Sequence, residues 1–155
     1  MVAARRELMG AMHVDGFNQL SISLEKLAAM PDNIMAEMLT AGAEVIKDAQ
    51  QKKLEQFVEG YSPKAKKPKR TGQLAASLKI EKPNTRNGTI TIRPSGTRKR
   101  GNTVTRNEEI GYITEYGKAG EPARPWMREA NAESEEKAVD AAAKPFEQYL
   151  DKIGL

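Results

Sequence analysis

Cysteine is absent from the 155 residues, and histidine occurs once, at His13. Without thiolates there is neither a disulfide framework nor a cysteine-based metal site. A Ser-His-Asp triad would have to run through His13, which sits in a weakly patterned start and reads better as a surface or packing residue. Neither a GxxxxGK phosphate loop nor a GxGxxG turn occurs. No apolar run approaches the roughly 20 residues of a membrane span. Arg5, Arg6 and Glu7 interrupt the start, which therefore lacks the apolar stretch of a secretory signal. Together these absences point to a soluble, cytoplasmically made protein that is not an enzyme and needs no cofactor or metal.

What is present is charge, at 30% of residues against 5% aromatics. The net +4 conceals an asymmetry: residues 61–107 hold 13 Lys or Arg and the single acid Glu81, leaving 12 basic and 20 acidic residues elsewhere. A +12 middle between flanks of −8 suits either nucleic acid or contact between the middle of one copy and the flank of another. The basic clusters at 64–70 and 98–106 contain no stacking aromatics, so sequence-specific reading of nucleic acid is the weakest option. Solubilising charge, phosphate contact and docking on acidic subunit surfaces remain open for them.

The length suits one domain, 15–155, after an N-terminal arm over 1–14. Leu20, Ile22 and Leu24 alternate with polar residues, as in a short strand. A long helix is predicted after Pro31, capped by Asp32 or Asn33, with a buried stripe of Ile34, Met38, Ala41, Val45 and Ala49 that Leu54, Phe57 and Val58 prolong, and a terminator at Gly60. The run YSPKAKKPKR at 61–70 reads as a flexible basic loop. Strands are expected at Ser77–Lys82 and Thr89–Arg93, joined by a turn at Asn87-Gly88. Residues 94–109 read as a second flexible basic loop or an extended hairpin tip. Ile110, Tyr112, Thr114 and Tyr116 then alternate as one face of a third strand, with a helical turn as the alternative.

A final helix is predicted from Pro125, with Met127, Ala130, Ser134, Ala138, Ala141 or Ala142, Phe146, Leu150 and Ile153 inward and Pro145 kinking it or starting a second segment. The fold class that results is α+β: a small antiparallel sheet of about three or four strands packed on a long N-terminal-half helix and a C-terminal helix, with long basic loops. Glu108, Glu109 and Glu115 read as solvated charges in preference to a metal-binding group. Trp126 reads first as core, with an interface anchor as its alternative because Arg124 and Arg128 flank it. Arg98, Lys99, Arg100, Arg106, Arg124, Trp126 and Arg128 are thus the subunit-interface candidates.

Three segments in order carry a resemblance. The first, Pro68-Lys69-Arg70-Thr71-Gly72-Gln73-Leu74 followed by Ser77-Leu78, is similar to a PxxTGxLxxS pattern that continues with Ile or Leu. The second is Tyr112-Ile113-Thr114-Glu115-Tyr116-Gly117, and the third runs from Pro122 through Arg124, Pro125 and Trp126 to Ala130. Over about residues 15–145 the chain resembles the small neck and tail-completion proteins of long-tailed bacteriophages, often labelled head-tail joining or minor tail component. Trp126 stands where that family usually has Phe, Glu129 where it often has Pro, and the 94–109 stretch is longer than usual.

The resemblance implies a homo-oligomeric ring between the portal side of the head and the tail tube, in the virion neck or at the end of the tail. It implies six or twelve copies, contacts with adjacent neck and tail-tube proteins, DNA passing through the lumen without sequence-specific contact, no membrane and no catalysis. Thr71, Gly72, Glu115, Tyr116, Gly117, Pro122 and Pro125 then have scaffold roles. Thr71 caps a turn begun by Gly72, Gly117 and Gly120 bend the chain, and the two prolines stiffen the way into the last helix. A stand-alone DNA-binding or DNA-packaging accessory protein, using the basic loops on phosphates, is the alternative.

Overall fold

A computed structural model describes residues 25–59 and 72–155. The elements in order are a single helical turn α1 (25–28), α2 (Asp32–Glu59), α3 (Gln73–Ala76), β1 (Leu78–Ile80), β2 (Ile92–Pro94), β3 (Thr97–Arg100), β4 (Thr103–Arg106), α4 (Asn107–Tyr116) and α5 (Trp126–Ile153). The α+β class is as expected, with both long helices in place. The arm at 1–14, the alternation at 20–24, Gly60, the 61–70 run and Thr71 lie outside the described residues.

The sheet differs from the one expected. Instead of three or four strands in one sheet there are two antiparallel pairs, β1–β2 and β3–β4. In the first, Leu78 faces Pro94 and Ile80 faces Ile92. The pairing fades outward through a bridge between Asn84 and Thr89, and the loop between them contains Gly88 at φ 64°. Pro94 has no N–H to continue a ladder, and Gly96, at φ 77°, turns the chain into β3. The 94–109 stretch is therefore largely structured: β3 and β4 form a hairpin over the two-residue loop Gly101-Asn102, and the Gly-first order supplies the positive φ of 61°.

The predicted third strand is a helix, α4. Its buried face is Asn107, Gly111 and Glu115, spaced i, i+4, i+8. A glycine and two polar residues leave no apolar periodicity to read, while the exposed residues Tyr112 and Tyr116 mimic the alternation of a strand.

The long helices lie antiparallel: Gln50 Nε2 donates to Asn131 Oδ1 at 2.8 Å near one end, and Tyr149 Oη donates to Lys26 O at 3.1 Å at the other. On α5 the buried stripe is Trp126, Ala130, Ser134, Ala138 and Tyr149, close to the spacing expected. Its helix starts at Trp126, one residue after Pro125, and continues through Pro145, so that proline starts no second segment. On α2 the buried positions are Gly42, Ala43, Gln50 and Leu54; of the predicted stripe Leu54 is buried as expected, while Ile34, Met38, Ala41, Val45 and Ala49 are only half-buried. Close approach explains the shift: a Cβ on Gly42 would stand 3.3 Å from Ala138 O and 3.6 Å from Ala142 Cβ. Lys53 ties the pair from the side, 2.8 Å from Glu133 and 3.4 Å from Glu129.

Candidate functional site

The described parts of the three segments behind the phage resemblance, from Gly72 onward, meet at one place. Leu54, Ala75, Leu78 and Trp126 form the main buried cluster, with Phe57, Leu74 and Met127 packed on it. Trp126 is fully buried, and its Nε1–H donates to Gly111 O at 3.1 Å. Gly111 has to be small, since a Cβ there would lie 3.0 Å from Pro94 and 3.4 Å from the Trp126 ring. Trp126 is accordingly a core residue, and its candidacy as an interface anchor is withdrawn: a side chain with no exposed surface in the subunit cannot anchor a partner.

Glu115 shows why an acid belongs inside. No side chain near Pro125 caps α5, so its first amides need an acceptor from elsewhere. The Glu115 carboxylate reaches over from α4 and accepts from Met127 N–H at 2.7 Å and Arg128 N–H at 3.2 Å. An anion on a helix N-terminus is favoured twice, by hydrogen bonding and by the helix dipole. Gly117 closes the same joint, because a Cβ there would fall 2.7 Å from Ala123 N and 2.9 Å from Glu121 O. Arg124 N–H then donates to Thr114 O at 2.7 Å. Gly72, at φ 71°, opens α3 on the other side of the cluster. Tyr116 is exposed, and Pro122 and Pro125 lie on the link between α4 and α5.

A second knot stitches the hairpins to α4. Buried Asn107 donates through Nδ2 to Ser95 O at 2.6 Å and accepts at Oδ1 from Arg98 Nε at 3.0 Å. Ser95 Oγ in turn donates to Ser77 O at 2.9 Å. Arg98 is thus half-buried, and burial lowers its pKa from the usual arginine value. With Arg124 it lines a small cavity of about 140 Å³ beside Leu54 and Leu74.

The other basic residues divide into two groups. Arg93 bridges Glu81 and, at 2.7 Å, Glu108, and these two carboxylates raise its pKa further. Arg106 pairs with Glu109 at 3.1 Å. These positive charges are met within the chain, and Glu108 and Glu109 are ion-pair partners. No group of three or more metal-ligating side chains occurs among the described residues. Lys99 and Arg100 are exposed on β3 with no ion pair to a described residue, and Arg128 is exposed at the start of α5. Lys79, Lys82 and Arg86 on the first hairpin are likewise exposed with no ion pair to a described residue, so free positive charge lies on both hairpins.

Two apolar surfaces were not visible in the sequence. One is the pair Tyr112 and Tyr116, 66% and 63% exposed with ring centroids 4.7 Å apart. Their i, i+4 spacing was the available signal, had 107–116 been read as a helix. The other is a groove of about 490 Å³ between α2, α5 and the β2 side of the first hairpin. Among the described residues no helix is long and apolar enough to cross a membrane. Compared with known protein families, curated proteins and solved structures, the chain matches none.

Proposed function

We propose that the chain is a structural subunit of a long-tailed phage virion, forming a homo-oligomeric ring in the neck that joins the DNA-filled head to the tail. It acts by assembly, without catalysis, cofactor or metal. One observation carries this reading: the described parts of the three segments that resemble the neck and tail-completion family build one joint, in which Leu74 and Leu78 pack in the cluster around Trp126 and the Glu115 carboxylate accepts from the Met127 and Arg128 amides. Segments that depend on one another physically are harder to match by chance than three independent short motifs. A hairpin with free cationic charge and two helices that each carry three more acids than bases support contact between unlike surfaces of neighbouring copies. DNA passes through the lumen without being read, and the ring meets portal-side and tail-tube proteins at its two faces.

Deleting the gene from its phage and imaging the lysate tests the proposal. DNA-filled heads and finished tails that fail to join are the expected result, and normal virions would overturn it. The exposed, unpaired Lys99 and Arg100 favour one other reading, a DNA-packaging accessory that grips phosphates. In that case the purified chain binds random duplex DNA with micromolar affinity and a steep dependence on salt.

A further inference from the structure

Several cations of this chain are answered by acids. Lys53 stands between Glu129 and Glu133, Arg93 between Glu81 and Glu108, and Arg106 and Lys118 each face one glutamate. Arg98 and Arg124 are different. Both are half-buried, neither has an ion pair to a described residue, and they line one cavity of about 140 Å³.

The fold fixes where both side chains stand. Arg98 Nε donates to Asn107 Oδ1 at 3.0 Å, and Asn107 is itself held by its bond to Ser95 O. That contact uses one of the guanidinium N–H groups and leaves the forked end without a partner among the described residues. Arg124 is pinned through its backbone, with its N–H donating to Thr114 O at 2.7 Å and its C=O accepting from Trp126 N–H at 2.8 Å. Its guanidinium has no partner among the described residues. Burial lowers the pKa of Arg98 with no neighbouring acid to oppose it, so a charge is held there at a cost that an anion would relieve.

The rest of the lining narrows the kind of anion. Leu54 and Phe57 from α2, Leu74 from α3 and Ile110 from α4 supply an apolar wall, and no carboxylate of a described residue lines the cavity. Thr114 already gives its hydroxyl proton to Ile110 O at 2.7 Å, which leaves the arginines as the donors. The volume is close to that of a protein cavity that takes one benzene ring.

We infer that this cavity binds a carboxylate on a short apolar body, of benzoate or hexanoate size, with the carboxylate on Arg98 and Arg124 and the body against Leu54, Phe57, Leu74 and Ile110. The planar fork of arginine matches the two oxygens of a carboxylate, and a few polar groups in an apolar wall are the make-up of small-molecule pockets. A bare phosphate would leave the wall wet, and an uncharged ligand would leave both guanidinium charges unanswered. The carboxylate belongs either to a free acid or to a glutamate side chain of a neighbouring copy, and the cavity binds it whether or not copies of the chain form a ring.

Calorimetric titration of the full chain with benzoate and hexanoate tests this, beside inorganic phosphate and benzyl alcohol. The two acids should bind with a Kd of about 1 mM or tighter, and phosphate and benzyl alcohol at least about tenfold more weakly. Arg124→Gln is the informative variant because that guanidinium holds nothing else in place. It should keep the ligand-free melting temperature and weaken benzoate binding at least about tenfold, and Arg98→Gln should weaken it as much. Sedimentation separates the two sources: with a free acid, self-association is the same with and without benzoate, whereas with a neighbour's glutamate both benzoate and Arg124→Gln shift the chain toward monomer.

Phosphate or benzyl alcohol binding as tightly as benzoate would overturn the inference, since either the wall or the arginines would then be idle. A clear fall in the ligand-free melting temperature of Arg124→Gln would do so by revealing a partner for that charge within the chain. No heat of binding up to about 50 mM acid, with self-association unmoved, would overturn it as well.

Discussion

Helix α5 has two regions held in different ways. At its start, Trp126 is buried to completion, its indole N–H is paired, and the first amides are capped by Glu115 from another helix. About three turns further on, Ala138 meets Gly42 with little side chain on either helix, and apolar surface remains open to one side. The first region is closed: each group has a partner inside the subunit, and additions would clash, as a Cβ at Gly111 or Gly117 would. The second is incomplete within the subunit, since the small residues that bring the backbones together cannot also cover what they expose. The first region is complete within the subunit, and the second leaves apolar surface uncovered.

The sharpest break in this contrast is Trp126→Ala. It should cost about 3–5 kcal/mol in denaturant unfolding, because it opens a large cavity and strands Gly111 O. A loss below about 1 kcal/mol would mean that the joint is no better packed than the helix middle. Next comes Glu115→Ala, which removes the only side-chain acceptor for the first amides of α5 among the described residues. A loss of about 1–2 kcal/mol is expected, with Glu115→Gln intermediate because one carbonyl oxygen still accepts.

Lys53 probes the region between. Its hydrogen bond to Glu133, with the Glu129 and Glu133 charges, raises its pKa above the ordinary 10.5 against the opposing effect of burial. A raised pKa stabilises the fold fully below 10.5 and loses that contribution as the pH climbs through the folded-state value. Thermal melts should therefore show Lys53→Met less stable than wild type at neutral pH, with the gap narrowing in alkali. A gap independent of pH would assign the effect to packing of the lysine stem. The smallest effect belongs to Val139→Ser, at an exposed position of the groove: unfolding should move by no more than about 0.5 kcal/mol. A larger loss of stability would make the groove part of the subunit core.

How far the residues alone revealed the fold depended on what each helix buries. The α5 stripe at Ala130, Ser134 and Ala138 follows simple periodicity and was legible. The α2 stripe was displaced because Gly42, which carries no hydrophobic signal, marks the contact line, and larger neighbours such as Met38 were drawn inward in its place. For α4 the signal was inverted: its inward residues are Asn107, Gly111 and Glu115, and its tyrosines face out. The hairpin at 97–106 had a signal, a Gly-Asn step between Thr-rich runs, that the density of arginines and lysines obscured.

Properties local to the chain were enough to establish the absence of thiol chemistry, the two long helices, the first hairpin and the split between a +12 middle and −8 flanks. They rest on residue type, spacing and count, which need no knowledge of distant neighbours. Only the tertiary structure decided which charges remain free, that Glu115 is a helix cap, that Trp126 is sealed inside the subunit, and that a groove and an aromatic patch lie on separate surfaces. Each of those depends on which backbone or side chain comes within a few ångströms from far away in sequence, and that proximity is set by packing between elements.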